Sequence, residues 1–326
     1  MKVGIIGAGN IAGIMAKTLA MIEHQEGKIF RWAIASRELS RAEAFAEQYG
    51  FPRAYGSYEE LLNDPEVDLV YIATPHSHHY EHMRLCIEHG KPVLCEKAFT
   101  ATAAQAEEIL KLAQEKKVFV AEAIWTRYQP MRQIVTEVLE SGIIGTPHFL
   151  TGTLGYPSIK YERLIRPELA GGALLDLGVY LLNFAAMFFG GDIVRASSVA
   201  TLLDTGVDAQ ESITLEYSDG RLAILGASIL SRTNRTGVIC GTRGRLEVSN
   251  VNTMQHLTVY DLNDEIILAR PCPPMLTGYE YEVQCCAEAL ANGWLEHPLM
   301  PHREILRIMR QMDELRHEWG VRYQWD

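Results

Sequence analysis

The sequence predicts an α/β protein of two domains: a doubly wound parallel sheet, then an α+β domain with a large, mostly antiparallel open sheet. Three observations carry this. First, apolar runs at 2–6, 31–35, 68–73 and 92–95 alternate with helical patterns near 10–22, 40–49, 57–63, 77–89 and 102–116. That is the rhythm of parallel strands joined by crossover helices. Second, the pattern changes later in the chain. Strand-like runs crowd at 148–154, 193–203, 210–217, 221–228, 236–240, 245–248 and 257–260, joined by turn signals such as Ser218-Asp219-Gly220 and Thr242-Arg243-Gly244. Third, 326 residues exceed the size at which a single core keeps growing. The expected domains are 1–123 and 124–326, with the last helices, near 277–292 and 302–318, able to pack back on the first domain.

The first strand, 3–6, runs into Gly7-Ala8-Gly9-Asn10-Ile11-Ala12 and then an amphipathic helix. This is the G-x-G-x-x-A form of the dinucleotide-binding turn of a Rossmann domain. Gly7 permits the sharp turn, Gly9 keeps a side chain away from a pyrophosphate, and small Ala12 lets helix and strand pack closely. The phosphates would then meet unpaired N–H groups at the positive end of the helix. Its place between a strand pattern and a helix pattern makes the motif specific. Ser40-Arg41-Ala42-Glu43 fits a capping box opening the second helix. A run at 118–121 closes the domain, and a helix near 129–140 opens the next. The most apolar segment, 173–189, carries Asp176 and Asn183 and reads as a buried helix.

Composition narrows the partners. A net charge of −11 with no basic block argues against nucleic acid and anionic membranes. No uninterrupted apolar stretch approaches the roughly 18–20 residues of a membrane span, and the immediate first strand leaves no room for a signal peptide. The six cysteines form no C-x-x-C pair, as expected of reduced thiols in a cytoplasmic protein.

Cofactor choice is read after the second strand. An NAD site usually places an acidic residue there for the ribose 2′-hydroxyl. This chain has Ser36 and Arg37, with Arg41 one turn on. Guanidinium forks suit a 2′-phosphate, so NADP(H) is expected in preference to NAD(H); the other reading makes both arginines solvated loop charges. Lys97 falls at the end of a predicted parallel strand, where open α/β sheets bind ligands, although lysines are commonly just solvent-facing. Asp176, Tyr180 and Asn183 are spaced to share one face of a helix. Polar groups in line on an apolar helix need buried partners or an aqueous cavity; a tyrosine merely capping the core is the competing reading. His76, His78, His79 and His82 invite a metal reading, but no matching cysteine or carboxylate set accompanies them, and no metal is expected. Trp125 and Arg127 open the second domain, where an aromatic could stack on a sugar ring or a diol or serve plain packing.

These motifs together resemble the Gfo/Idh/MocA oxidoreductase family along the whole chain. The carriers are the N-terminal turn, the A-T-P-x-x-x-H stretch at 73–79, C-E-K at 95–97 and G-G-A-L-L-D-L-G-V-Y at 171–180. Tyr180 and the segment 122–128 look like the branch containing dimeric dihydrodiol dehydrogenase, NADP-dependent D-xylose dehydrogenase and glucose–fructose oxidoreductase. The resemblance implies that Gly7, Gly9, Asn10, Ile11, Ser36, Arg37, Arg41, Thr74, Pro75, His79, Glu96 and Lys97 hold the cofactor. It implies that Lys97, Asp176 and Tyr180 are catalytic, and that His76, Trp125, Arg127, Asp176 and Asn183 border a sugar or diol substrate. His78 and His82 are expected at the surface. Members often pair through the open face of the C-terminal sheet, so a homodimer or dimer of dimers is expected.

The family usually reads Glu-Lys-Pro, whereas Ala98 follows Lys97 here. A cis bond at this place would then cost roughly 2.5–4 kcal/mol, against 0.5–1 with proline.

The implied reaction moves a hydride between nicotinamide and a secondary alcohol or hemiacetal carbon while a base takes the hydroxyl proton. A free tyrosine, titrating near 10, is too protonated for that task. An ammonium about 4 Å away favours phenolate by roughly 4 kcal/mol at an effective dielectric of 20. That is enough to bring a phenol close to neutrality. Tyr180 is the expected acid/base, Lys97 its electrostatic partner and Asp176 the orienting group. Two alternatives remain at this stage, since function belongs to the site and not to the fold: a sensor or scaffold that binds cofactor without turnover, and an oxidoreductase that never releases its cofactor.

Overall fold

Strands β1 (Lys2–Ile6), β2 (Phe30–Ala35), β3 (Arg53–Tyr55), β4 (Leu69–Ile72), β5 (Val93–Glu96) and β6 (Val120–Ala123) form one sheet in the order β3-β2-β1-β4-β5-β6. Every pairing is parallel. Helices α1 (Asn10–Glu26), α2 (Leu39–Tyr49), α3 (Tyr58–Leu62), α4 (His76–Glu88) and α5 (Ala103–Lys116) make the crossovers. Because helices cover both faces, β4, β5 and β6 are buried at every residue. Strand order reverses between β1 and β4, which is where such sheets bind ligands.

The computed structural model describes all 326 residues and divides them into two units, Met1–Trp125 with Met275–Met309 and Thr126–Pro274 with Arg310–Asp326. The second unit holds α6 (Pro130–Glu140), α7 (Glu162–Ile165) and α8 (Val179–Phe189). Its sheet comprises β7 (Pro147–Gly155), β8 (Ile193–Leu202), β9 (Asp208–Tyr217), β10 (Leu222–Ser228), β11 (Gly237–Gly241), β12 (Gly244–Ser249), β13 (His256–Asp261) and β14 (Ile266–Pro271). The order is β14-β13-β12-β11-β7-β10-β9-β8, antiparallel except at β7–β10. Burial alternates along β9 and β10. Ile213, Leu215, Ala223 and Leu225 lie on the buried face that α8 covers, whereas Leu222 and Ile224 are exposed on the other. Helix α9 (Glu280–Ala291) belongs to the first unit, where Val283, Cys286 and Ala289 join the core of β1, β2 and α1. The division falls within α10 (His302–Glu318).

Several local expectations need correction. Strands β3 and β14 were not expected: the first has only three residues, and the second is an edge strand whose short apolar run, Ile266-Ile267-Leu268, lies largely exposed. The capping box at Ser40 does not form. Helix α2 begins one residue earlier, with Glu38 as N-cap in extended conformation and its carbonyl accepting from Arg41 and Ala42. The helical run Pro167–Phe189 is long and apolar enough to cross a membrane, yet its most apolar 18-residue stretch is 89% buried inside the protein, as suits a core helix.

Candidate active site

In the first unit the dinucleotide turn has the geometry its glycines call for. Gly7 adopts φ +99°, and a methyl there would lie 3.0 Å from the Ala73 carbonyl oxygen and from Thr74 Cγ2. Two strand ends, those of β1 and β4, therefore touch at a point where only hydrogen fits. Gly9 differs: a methyl there would meet no protein atom within 4 Å. Gly9 is also the N-cap of α1, with no side chain bonding the first-turn N–H groups. Asn10 and Ile11 form that first turn, while Ala12 is fully buried. An open N–H cradle at a helix start fits a pyrophosphate.

At the end of β2, Ser36 is buried and its N–H bonds the Tyr55 carbonyl at 3.2 Å. Arg37 and Arg41 are exposed, and both act on the Tyr58 phenol, lowering its pKa against the larger effect of burial, which raises it. His82 sits edge-on to Tyr58, with ring centroids 4.7 Å apart, and its Nδ1 lies 3.0 Å from Thr74 Oγ1. Burial, then the neighbouring His78, His79 and Arg37, push the His82 ring down to about 3. His78 and His82 are half-buried and not fully at the surface, with their rings edge-on at 5.7 Å. The sequence signal that would find them is the i, i+4 spacing with His78.

Pro75 caps α4, whose first residue, His76, is buried with its ring 5.7 Å from that of His79. His79 is fully buried, and each ring nitrogen lies 2.8 Å from a carbonyl oxygen, that of Thr74 or Ala98. Burial pushes the ring down to about 4. A neutral imidazole has one N–H, so one of these contacts is a full hydrogen bond at a time. His79 thereby ties the turn after β4 to the residue following Lys97. The Lys97–Ala98 peptide is cis. Glu96 accepts from the Tyr71 hydroxyl and, at 3.2 Å, from the Lys97 N–H. Beyond it lies Glu282 on α9, fully buried, with no hydrogen bond to either carboxyl oxygen; burial and then Glu96 raise its pKa well above the carboxylate range. Trp125 stacks on Tyr279 at 4.2 Å and 18°. Glu282 and Tyr279 escaped sequence reasoning because α9 is remote in the chain. So did a group formed by Cys285, Glu288 and His297, whose ligand atoms lie within 4.8 Å of one another. There His297 Nδ1 accepts from the Leu299 N–H, which leaves the ring proton on Nε2, facing Glu288 at 3.6 Å and not suited to a metal.

In the second unit the G-G-A-L-L-D stretch departs from a regular helix. Leu174–Gly178 is a π-turn, with the Val179 N–H reaching back to the Leu174 carbonyl. Only Tyr180 and Asn183 lie on α8 proper, so the expected single α-helical face for Asp176, Tyr180 and Asn183 does not hold: the wider turn rotates Asp176 away from ideal spacing. All three are buried. Asp176 Oδ1 accepts from Arg163 at 3.1 Å. Asn183 Oδ1 accepts from Arg127 Nε at 2.5 Å, and its amide donates to the Val179 carbonyl at 2.8 Å. Two residues assigned to substrate are thus brought together as a pair.

Comparison with known proteins agrees with this geometry. Residues 1–123 match the oxidoreductase family with an NAD-binding Rossmann fold, and residues 133–247 match the GFO/IDH/MocA C-terminal domain. The chain is 34% identical over 333 residues to the trans-1,2-dihydrobenzene-1,2-diol dehydrogenase of Xenopus tropicalis, covering 99% of each. With the human enzyme of that name it shares 33% over 336 residues, covering 100% of this chain and 99% of that one. Among solved structures, the 3-ketoreductase KijD10 of Actinomadura kijaniata, in complex with NADP and TDP-benzene, superposes with a TM-score of 0.85 at 27% identity, covering 97% of both chains. Levoglucosan dehydrogenase, in complex with NADH and levoglucosan, shares the fold at a TM-score of 0.86 and 19% identity, covering 98% of this chain and 97% of that one. With strand order, dinucleotide turn and full-length relatives in agreement, the chain belongs to the Gfo/Idh/MocA family and is an NAD(P)-dependent oxidoreductase acting on CH–OH groups.

Proposed function

We propose that the enzyme prefers NADP(H) and transfers a hydride between nicotinamide and a secondary alcohol or hemiacetal carbon of a trans-dihydrodiol or sugar. Tyr180 exchanges the hydroxyl proton, Lys97 is the cation that makes its phenol acidic enough, and Asp176 orients it. The observation that carries this reading is the buried helix start where Asp176, held by Arg163, precedes Tyr180, in a chain whose full-length relatives are named dihydrodiol dehydrogenases. Bound nicotinamide supplies the hydride carrier. The residues of this chain move the proton and hold the substrate oxygen. For cofactor choice, the support is Arg37 and Arg41 acting together on Tyr58 beyond a strand end that reads Ser36-Arg37.

The test is a panel of trans-dihydrodiols and aldoses with NADP+ or NAD+, followed at the nicotinamide absorbance band, for wild type and Tyr180→Phe. A lost acid/base group costs about 10²–10⁴ in rate. The expected result is turnover of a diol or sugar, a loss of that size in Tyr180→Phe, and unchanged NADP+ binding. Near-normal turnover in Tyr180→Phe would refute the assignment.

We further propose that two copies pair through the outer face of the β7–β14 sheet. Leu222 and Ile224 on β10, with Val194 and Val199 on β8, are exposed apolar side chains in that sheet. Light scattering should give a dimer mass or a multiple of it. Ile224→Asp should shift that mass toward the single chain.

A further inference from the structure

Strand β9 carries two buried carboxyl groups that the reaction described above does not use. Asp208 and Glu211 are three residues apart, a spacing that sends side chains to opposite faces of a regular strand. Here Leu202 pairs with Asp208 and Thr201 with Gln210, so Ala209 is one residue too many. A bulge of this kind re-aims the side chains around it. Both carboxyls consequently meet the segment leading into α8. A methyl on Gly172 would lie 2.2 Å from Asp208 Oδ1, and one on Gly178 would lie 2.8 Å from Glu211 Oε1.

Asp208 does more than touch this segment. Its Oδ2 accepts the Leu174 N–H at 2.6 Å. Leu174 is the first residue of the π-turn, and the N–H groups of a helix start have no partner within the helix. A distant strand thus provides the cap that local sequence does not. From the other side, the Tyr323 hydroxyl donates to the Gly171 carbonyl. Tyr323 is held in turn by the C-terminal tail, where Arg316 donates to both carboxyl oxygens of Asp326 and to Asp313. The corner 171–174 is gripped from two directions. The charged and titratable groups around Asp208 are Glu211 on its own strand, Arg316 on α10, and Tyr323 of the tail. Burial dominates and raises both acids, Asp208 to about 6 and Glu211 well above the carboxylate range. Near neutral pH, then, Asp208 is the ionised member and the stronger acceptor.

We propose that Asp208 is a positioning residue for the dehydrogenase reaction: by holding the Leu174 N–H from the β9 bulge, it sets the turn from which Asp176 and Tyr180 project. The inference rests on the assignment of Tyr180 as acid/base.

The experiment compares Asp208→Ala, Asp208→Asn and Tyr180→Phe in the full chain. It reads steady-state kinetics with NADP+ and trans-1,2-dihydrobenzene-1,2-diol, together with amide hydrogen exchange of peptides covering 171–181. A misplacement of about 1 Å can cost on the order of 10² in rate. Asp208→Ala should lower kcat about 30-fold, leave the KM for NADP+ within about twofold, and speed exchange in 171–181 about tenfold while first-unit peptides stay unchanged. Asp208→Asn keeps an amide oxygen that accepts the same bond, so it should restore kcat to within about threefold of wild type. Three results overturn the proposal: unchanged exchange in Asp208→Ala, normal kcat there while Tyr180→Phe abolishes turnover, or a folded Asp208→Asn about 30-fold slower than wild type. The last comparison decides the matter even if Asp208→Ala does not fold. Should Tyr180→Phe keep its turnover while Asp208→Ala loses both rate and protection, the acid/base assignment fails and the positioning of the turn stands.

Discussion

The two sheets of this molecule bury their polar chemistry in opposite ways. In the parallel sheet both faces are covered, β4–β6 are apolar nearly throughout, and the informative residues sit past the strand ends: Gly7 after β1, Ser36 after β2, Thr74 after β4, Lys97 after β5. In the open sheet one face is covered by α8 and the other alternates toward solvent, and the informative residues lie within elements: Asp208 and Glu211 on β9, Asp176 in the π-turn, Tyr180 and Asn183 on α8. Chemistry at strand ends follows from fold topology. Chemistry inside elements depends on a bulge and a widened helical turn, two departures from regular geometry.

The largest expected effect that sharpens this contrast concerns stability and pH. Burial raises the pKa of Asp208 in the folded chain to about 6, above the ordinary aspartate value near 4. The folded chain therefore holds the extra proton between those values, and stability falls as pH rises from about 4 to 6. Asp208→Asn removes that dependence. Urea unfolding should show the variant gaining up to about 3 kcal/mol relative to wild type between pH 4 and 7. An equal pH slope in both proteins would break the view that burial at the β9 bulge holds the Asp208 proton.

A smaller effect separates two glycines of one motif. Gly7→Ala forces a side chain into positive φ against the Ala73 carbonyl and should cost about 1–3 kcal/mol in thermal or urea unfolding. Gly9→Ala has open space and should leave unfolding unchanged while weakening NADP+ binding about tenfold or more, read by fluorescence titration. If Gly9→Ala lost stability and kept its affinity, the strand-end cradle would be a packing feature only.

Smallest is the specificity change. Arg37→Ala removes one charge-assisted contact, worth about 1.5–3 kcal/mol. The ratio of kcat/KM for NADP+ over NAD+ should fall by roughly ten- to a hundredfold, with NAD+ kinetics unchanged. An unaltered ratio would return Arg37 to the solvated loop charges.

The parallel domain was legible because its signals are local. A glycine turn between a strand pattern and a helix pattern, and Lys97 at the end of an apolar run, need only a few adjacent residues to be recognised. Edge strand β3 is too short to leave a pattern, and the apolar run that opens edge strand β14 does not alternate. Ser40 had the sequence of a cap without the conformation, because the helix started ahead of it.

What the sequence determined by itself is the alternation of strands and helices in the first domain and the dinucleotide turn, while the family resemblance supplied the residues expected to do the chemistry. The first two follow from periodicity and from backbone demands a single residue imposes. Only the tertiary structure decided that His82 turns inward to Thr74, that Glu282 lies beside Glu96, and that Asp208 caps a turn 34 residues before it. A polar side chain in an alternating strand looks solvated until the facing helix is known. Its burial, charge and partner are set by elements distant in the chain.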